Sequence, residues 1–189
     1  MTGAFTTALM GAFVLTGLAG SQLAVASTTN PIQVPTNPSY TVSLTGYNAV
    51  AAQTDSDPSM TASGAYSNPD VIVARSKDLA EELPFGTIIS ISPTTRSNPS
   101  CGLNAVSDYV GYRVVADAMH PRKRHQIDIM FDDQASMRVG GKILNPARVL
   151  GICKDITITV VGFVDINKIP DNQTQLRALV GAQTLAFNK

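Results

Sequence analysis

Val114-Val-Ala-Asp-Ala-Met-His-Pro-Arg-Lys-Arg-His-Gln-Ile-Asp-Ile-Met-Phe131 places one carboxylate in each of two apolar, strand-like runs and joins the runs by a basic turn. Asp117 and Asp128 are the residues to explain. An ionised carboxylate withdrawn from water is costly unless it is paired, solvated or put to use. Partly apolar surroundings raise its pKa, which suits a general acid. Within 126–131 the period-two alternation puts Ile127, Ile129 and Phe131 on one face and Gln126, Asp128 and Met130 on the other. The aliphatic face predicts a barrel-filling strand. Asp128 then faces a semi-apolar groove beside Gln126 and Met130.

Working outward, β-prone runs recur at 40–44, 71–74, 87–91, 112–116, 126–131 and 156–163, separated by Pro, Asn, Asp and Gly clusters. Two stretches read as short helices, 76–83 with Ser76 as cap, and 133–139. The prediction is a mostly-β fold: a six-stranded barrel over residues 41–165 with one or two short helices. Residues 166–189 form a tail in which Leu176, Leu179, Val180 and Leu185 recur at near-helical spacing, predicting a helix packed on the barrel.

The first 26 residues contain an apolar, Gly-rich run too short to span a bilayer, ending in Ala24-Val-Ala26 before Ser27. They read as a secretory signal, although the start lacks a Lys or Arg; the alternative is a retained hydrophobic helix. Residues 27–40, rich in Thr, Asn and Pro, read as a linker. Cys101 and Cys153 lie in Gly-rich flanks without acidic or His neighbours at ligand spacing, so a disulfide in an exported protein is expected, with two free thiols as the alternative. The expected location is periplasmic, cell-envelope or extracellular, without a transmembrane anchor in the mature chain. With 14 Lys plus Arg against 14 Asp plus Glu in 189 residues, the net charge is zero. Such a balance argues against a protein that holds nucleic acid or an anionic membrane by counterion release.

Gly46-Tyr-Asn, Gln53-Thr-Asp-Ser-Asp-Pro58, Thr61-Ala-Ser-Gly64, Val73-Ala-Arg75, Leu83-Pro-Phe-Gly-Thr87, Asp117-Ala-Met-His-Pro-Arg122 and Ile127-Asp-Ile129 follow one another in the order seen in 3D (Asp-Asp-Asp) domain proteins. The match runs from about Thr45 to Gly162. The chain thereby resembles the double-psi β-barrel domain of the membrane-bound lytic transglycosylase A family and, more distantly, rare lipoprotein A and the expansins. The resemblance implies peptidoglycan glycan strands as substrate and non-hydrolytic cleavage of the MurNAc–GlcNAc bond, leaving a 1,6-anhydro end. It implies Asp128 as catalytic acid/base, eleven residues after a supporting Asp117. A single carboxylic acid suffices there, because the C6 hydroxyl replaces the water that a second carboxylate would activate. Tyr47, Thr54, Asp55, His120, Arg122 and Gln126 are the candidate substrate-binding residues. No cofactor and no nucleic acid partner are expected, and the protein is expected to act as a monomer.

The family's Asp-x-Gly-Gly turn is replaced by Asp117-Ala-Met-His120, whose Met119 and His120 bring side chains where a Gly pair would admit a sugar. The place of a third family aspartate is held by Leu79, with Asp78 one residue earlier. This departure keeps a second class open: a non-catalytic, expansin-like wall-binding module, or a purely structural exported domain. Plainer accounts exist for each residue. Asp128 could be a solvated strand carboxylate or a partner for Arg122 or Arg124, Asp117 a turn cap, and Thr54, Asp55 and Asp57 turn formers. Tyr47, Tyr66 and Tyr109 offer either a stacking surface or ordinary packing. His120 and His125 with the two aspartates do not make a plausible metal set, since Arg122, Lys123 and Arg124 would crowd an ion with positive charge; no metal is expected.

Overall fold

The structure, a computed structural model, describes residues 37–52, 57–92 and 101–187. The apolar runs form strands β1 (Ser39–Asn48), β2 (Ile72–Arg75), β3 (Thr87–Ser92), β4 (Arg113–Ala118) and β5 (Gln126–Phe131). After a hairpin of β6 (Met137–Val139) and β7 (Lys142–Leu144) comes the long β8 (Cys153–Phe163). Six of these strands close into a barrel in the order β1-β5-β2-β4-β3-β8. β1 is parallel to β5 and β2 to β4, while the other neighbours are antiparallel. With the barrel strands counted in chain order, advancing each by three maps this neighbour list onto itself. Two three-strand halves therefore interlock about a pseudo-two-fold, each parallel pair taking one strand from each half, which is double-psi topology. The mostly-β, six-stranded fold read from the sequence is the fold observed.

Alternation along each strand divides the apolar residues into two layers. Leu44, Val73, Val115, Ile127, Ile129 and Ile158 fill the barrel. Ile72, Ala74, Val114, Met119 and Met130 form an outer layer, against which Leu176 and Val180 of the C-terminal helix α3 (Gln173–Phe187) are buried. The helical tail is thus observed, with Leu185 the exception at 69 % exposed. Two glutamines dock α3. Gln173 accepts from the Tyr112 N–H and donates to the Tyr112 and Asp70 carbonyls, and Gln183 accepts from the Phe163 N–H and donates to the Phe163 carbonyl. Each amide takes the place of a neighbouring strand's backbone.

The short helices differ from the expected ones. Residues 133–139 form a turn and β6, because Gly140 and Gly141, at φ of 56° and 80°, make a two-residue hairpin that pairs β6 with β7. Over 76–83 only the 3-10 turn Lys77–Leu79 forms, and the Ser76 hydroxyl accepts from the Gln126 N–H instead of capping a helix. The helices that do form are α1 (Ser107–Val110) and α2 (Pro146–Leu150). In α2 the Asn145 side chain accepts from the Ala147 N–H and Pro146 fills the first helical position. Residues 39 and 40 belong to β1, paired with Thr159 and Ile158, so the expected linker is too long by those two. The signal segment and the rest of the linker lie outside the described residues.

Cys101 and Cys153 are joined in a disulfide across 52 residues, tying the segment before α1 to the start of β8. A bridged cysteine pair fits an oxidising, exported compartment. Among the described residues no helix is long and apolar enough to cross a membrane.

Candidate active site

The site is assembled on the outer face where β1, β5, β2 and β4 lie side by side. Ala74 of β2 is the cross-strand partner of Asp128 on β5 and of Asp117 on β4, so the two carboxylates flank one methyl group. Thr45 of β1 lies on the other side of Asp128. Strict alternation in β4 would send Asp117 to the barrel interior with Val115. The register shifts there: Val115 pairs with Val73 and Asp117 with Ala74, leaving Ala116 as an extra residue. This bulge turns Asp117 outward, onto the face of Asp128.

The two carboxylates have unequal surroundings. Asp117 takes three donors: its Oδ1 accepts from the Ala62 N–H at 2.9 Å and the Ala118 N–H at 2.8 Å, and its Oδ2 from the Tyr47 hydroxyl at 2.7 Å. Asp128 is half-buried and takes one, from the Thr45 hydroxyl to Oδ1 at 2.8 Å. Burial pushes the Asp128 carboxyl up to about 6; the charge of Asp117 adds to the rise, and the Thr45 hydroxyl and Lys123 oppose it. Burial, together with Asp117 and Asp128, raises the Tyr47 phenol far above its usual range, so it stays a donor.

Of the candidate residues, Gln126 joins the site directly, its Nε2 donating to the Thr45 hydroxyl at 2.7 Å. Tyr47 is 8 % exposed and committed to Asp117, so it supports the carboxylate and offers no face for a sugar, contrary to its expected binding role. His120 and Arg122 project from the exposed β4–β5 turn, where His120 Nδ1 accepts from the Arg122 N–H. Met119 is buried in the outer layer, so only His120 of the two turn residues projects outward. Thr54 and Asp55 lie outside the described residues. Leu79 is core, whereas Asp78 accepts from the His125 N–H at 3.0 Å and sits 3.1 Å from its ring, where His125 holds a φ of 48° at the entry to β5. Burial opposes ionisation of Asp78, but hydrogen bonds from Ser76 and His125 outweigh it and lower the carboxyl to about 2. Tyr109 lies on α1, off the carboxylate face; Tyr66 is 73 % exposed, on the loop that supplies the Ala62 N–H.

Thr45, Ala62 and Lys123 were missed as site residues. For Thr45 a signal exists, since alternation through Leu44, Gly46 and Tyr47 sets it on the face of Tyr47. For Ala62, whose backbone binds Asp117, there is none, because every residue type except proline carries an N–H.

No protein-family model matches the chain, and no curated protein matches it. Among solved structures, Streptomyces papain inhibitor is similar at 14% identity and a TM-score of 0.35, over 67% of this chain and 96% of that one.

Proposed function

We propose that the protein is an exported lytic transglycosylase of the 3D-domain type that cleaves the MurNAc–GlcNAc bond of peptidoglycan, with Asp128 as its single acid/base. The unequal pair of carboxylates carries this reading. A group with a pKa near 6 is partly protonated under mildly acidic to neutral conditions, as a general acid must be, while its neighbour on the same face accepts from three donors. In the first half of the reaction the Asp128 proton passes to the glycosidic oxygen and the C1–O bond breaks, its electrons going to the departing sugar. In the second half the C6 hydroxyl oxygen bonds to C1, and its proton returns to Asp128. Atoms and protons balance without water. Asp117, fixed by Tyr47 and two backbone N–H groups, stabilises the positive charge developing at C1.

The test is release of muropeptides from purified sacculi, read by mass spectrometry. Anhydro-muropeptides should appear with the wild type and be lost by more than a hundredfold with Asp128→Asn, whose binding to sacculi should persist. Turnover retained in the variant would remove Asp128 from the role.

One observation favours a second reading. Tyr66 stands exposed beside the Asp117 loop, as an aromatic platform for sugar binding would. A wall-binding module would bind sacculi equally in both forms and release nothing.

A further inference from the structure

The hydroxyl of Thr45 stands between two groups, and their chemistry decides its direction. Gln126 Nε2 can only donate, so the hydrogen bond it makes occupies a lone pair of Thr45 Oγ1. The single hydroxyl hydrogen is then committed to Oδ1 of Asp128. Among the described residues Oδ2 accepts no hydrogen bond. A proton on Oδ1 would make that oxygen a poorer acceptor for the Thr45 hydroxyl, whereas Oδ2 is free to carry one.

We propose that Gln126, acting through Thr45, is a positioning residue that holds Oδ1 of Asp128 as an acceptor and leaves Oδ2 as the oxygen that gives and takes the catalytic proton. The inference rests on the reading of Asp128 as the acid. The chain crosses only one strand pair: Ser43 is the register partner of Gln126, and Thr45 of Asp128, so β1 and β5 are parallel and in step through the relay. The other charged or titratable groups that face Asp128 are Asp117 from β4, Lys123 from the turn and Tyr47 from β1, and none of them hydrogen-bonds to the Thr45 hydroxyl. Without the amide, the hydroxyl is free to turn away from Oδ1. Asp128 then loses stabilisation of its ionised form, and its titration midpoint rises.

The test is a carboxyl-carbon NMR titration of Asp128 in the full chain, with the signal assigned by its loss in Asp128→Asn. Thr45→Val should raise the midpoint by about one unit, since a lost hydrogen bond to a charged group is worth about 1.5 kcal/mol or more. Thr45→Ser should restore it. Gln126→Leu should raise it by about half a unit with Thr45 present and leave it unmoved in the Thr45→Val background, because its effect passes through the hydroxyl. An equal shift in both backgrounds, or none in either, overturns the relay. The titration needs no turnover. If it shows the coupling while sacculi release no anhydro-muropeptides at any pH, the relay stands and the transglycosylase reading fails. Where activity is present, its pH profile should move with the midpoint.

Discussion

At the scale of the residue, Asp128 carries a stability cost with a defined pH window. Its folded pKa of about 6 lies above the unfolded value of about 3.9, so between them the native state binds more protons and stability falls as pH rises. The loss is complete above the folded pKa and amounts to about 1–3 kcal/mol at 1.36 kcal/mol per unit. Asp128→Asn should therefore melt higher than the wild type at pH 7, with the gap closing below pH 4; thermal melts at several pH values measure it. Asp78 works in the opposite sense. Its lowered pKa stabilises above about pH 4, and that contribution is lost as pH falls through about 2. The position of Asp128 on the outer face of the barrel could be read from alternation, because an unbroken six-residue strand has only two faces. The role of Tyr47 could not, because Asp117 lies 70 residues away in the chain.

At the scale of the element, two small features shape the site and its support. The bulge at Ala116 sets the face of Asp117, and no pattern in the sequence marks it, since Val-Val-Ala-Asp would sit equally well in a regular strand. The docking of α3 depends on glycines opposite its glutamines: a Cβ at Gly162 would lie 2.0 Å from Gln183 Oε1, and one at Gly111, 2.1 Å from Gln173 Oε1. Gly162→Ala should displace the Gln183 amide and cost about 1–2 kcal/mol, roughly the worth of the hydrogen bonds lost. Hydrogen exchange should then quicken in the C-terminal half of α3 and stay slow around Leu176, which the Gln173 clamp still holds. Equal protection in both halves would count against the clamp. The six barrel strands were readable from apolar runs between breakers, and α3 from its Leu and Val spacing. The hairpin of β6 and β7 was carried by Gly140-Gly141, a turn signal that the expected helix over 133–139 overrode.

At the scale of the whole molecule, the disulfide closes a loop of 52 residues that contains α1, β4, β5 and both carboxylates, Asp117 and Asp128. Loop-closure entropy puts its contribution at about 4 kcal/mol, so Cys101→Ser with Cys153→Ser should lower the denaturant midpoint, and m should rise because the unfolded chain without its cross-link exposes more surface. The sequence by itself determined the six barrel strands, the face of Asp128 and the helical tail, and it made the cysteine pair the expected reading. Each is written in local periodicity, or in a residue type whose chemistry leaves few options. Only the tertiary structure decided the order in which the strands close, the bulge that brings Asp117 to Asp128, and the partners that make one carboxylate a fixed acceptor and the other a protonatable acid. Those depend on which distant segments meet across the barrel, and a backbone N–H or a one-residue shift in register leaves no mark in the identity of the residues that supply it.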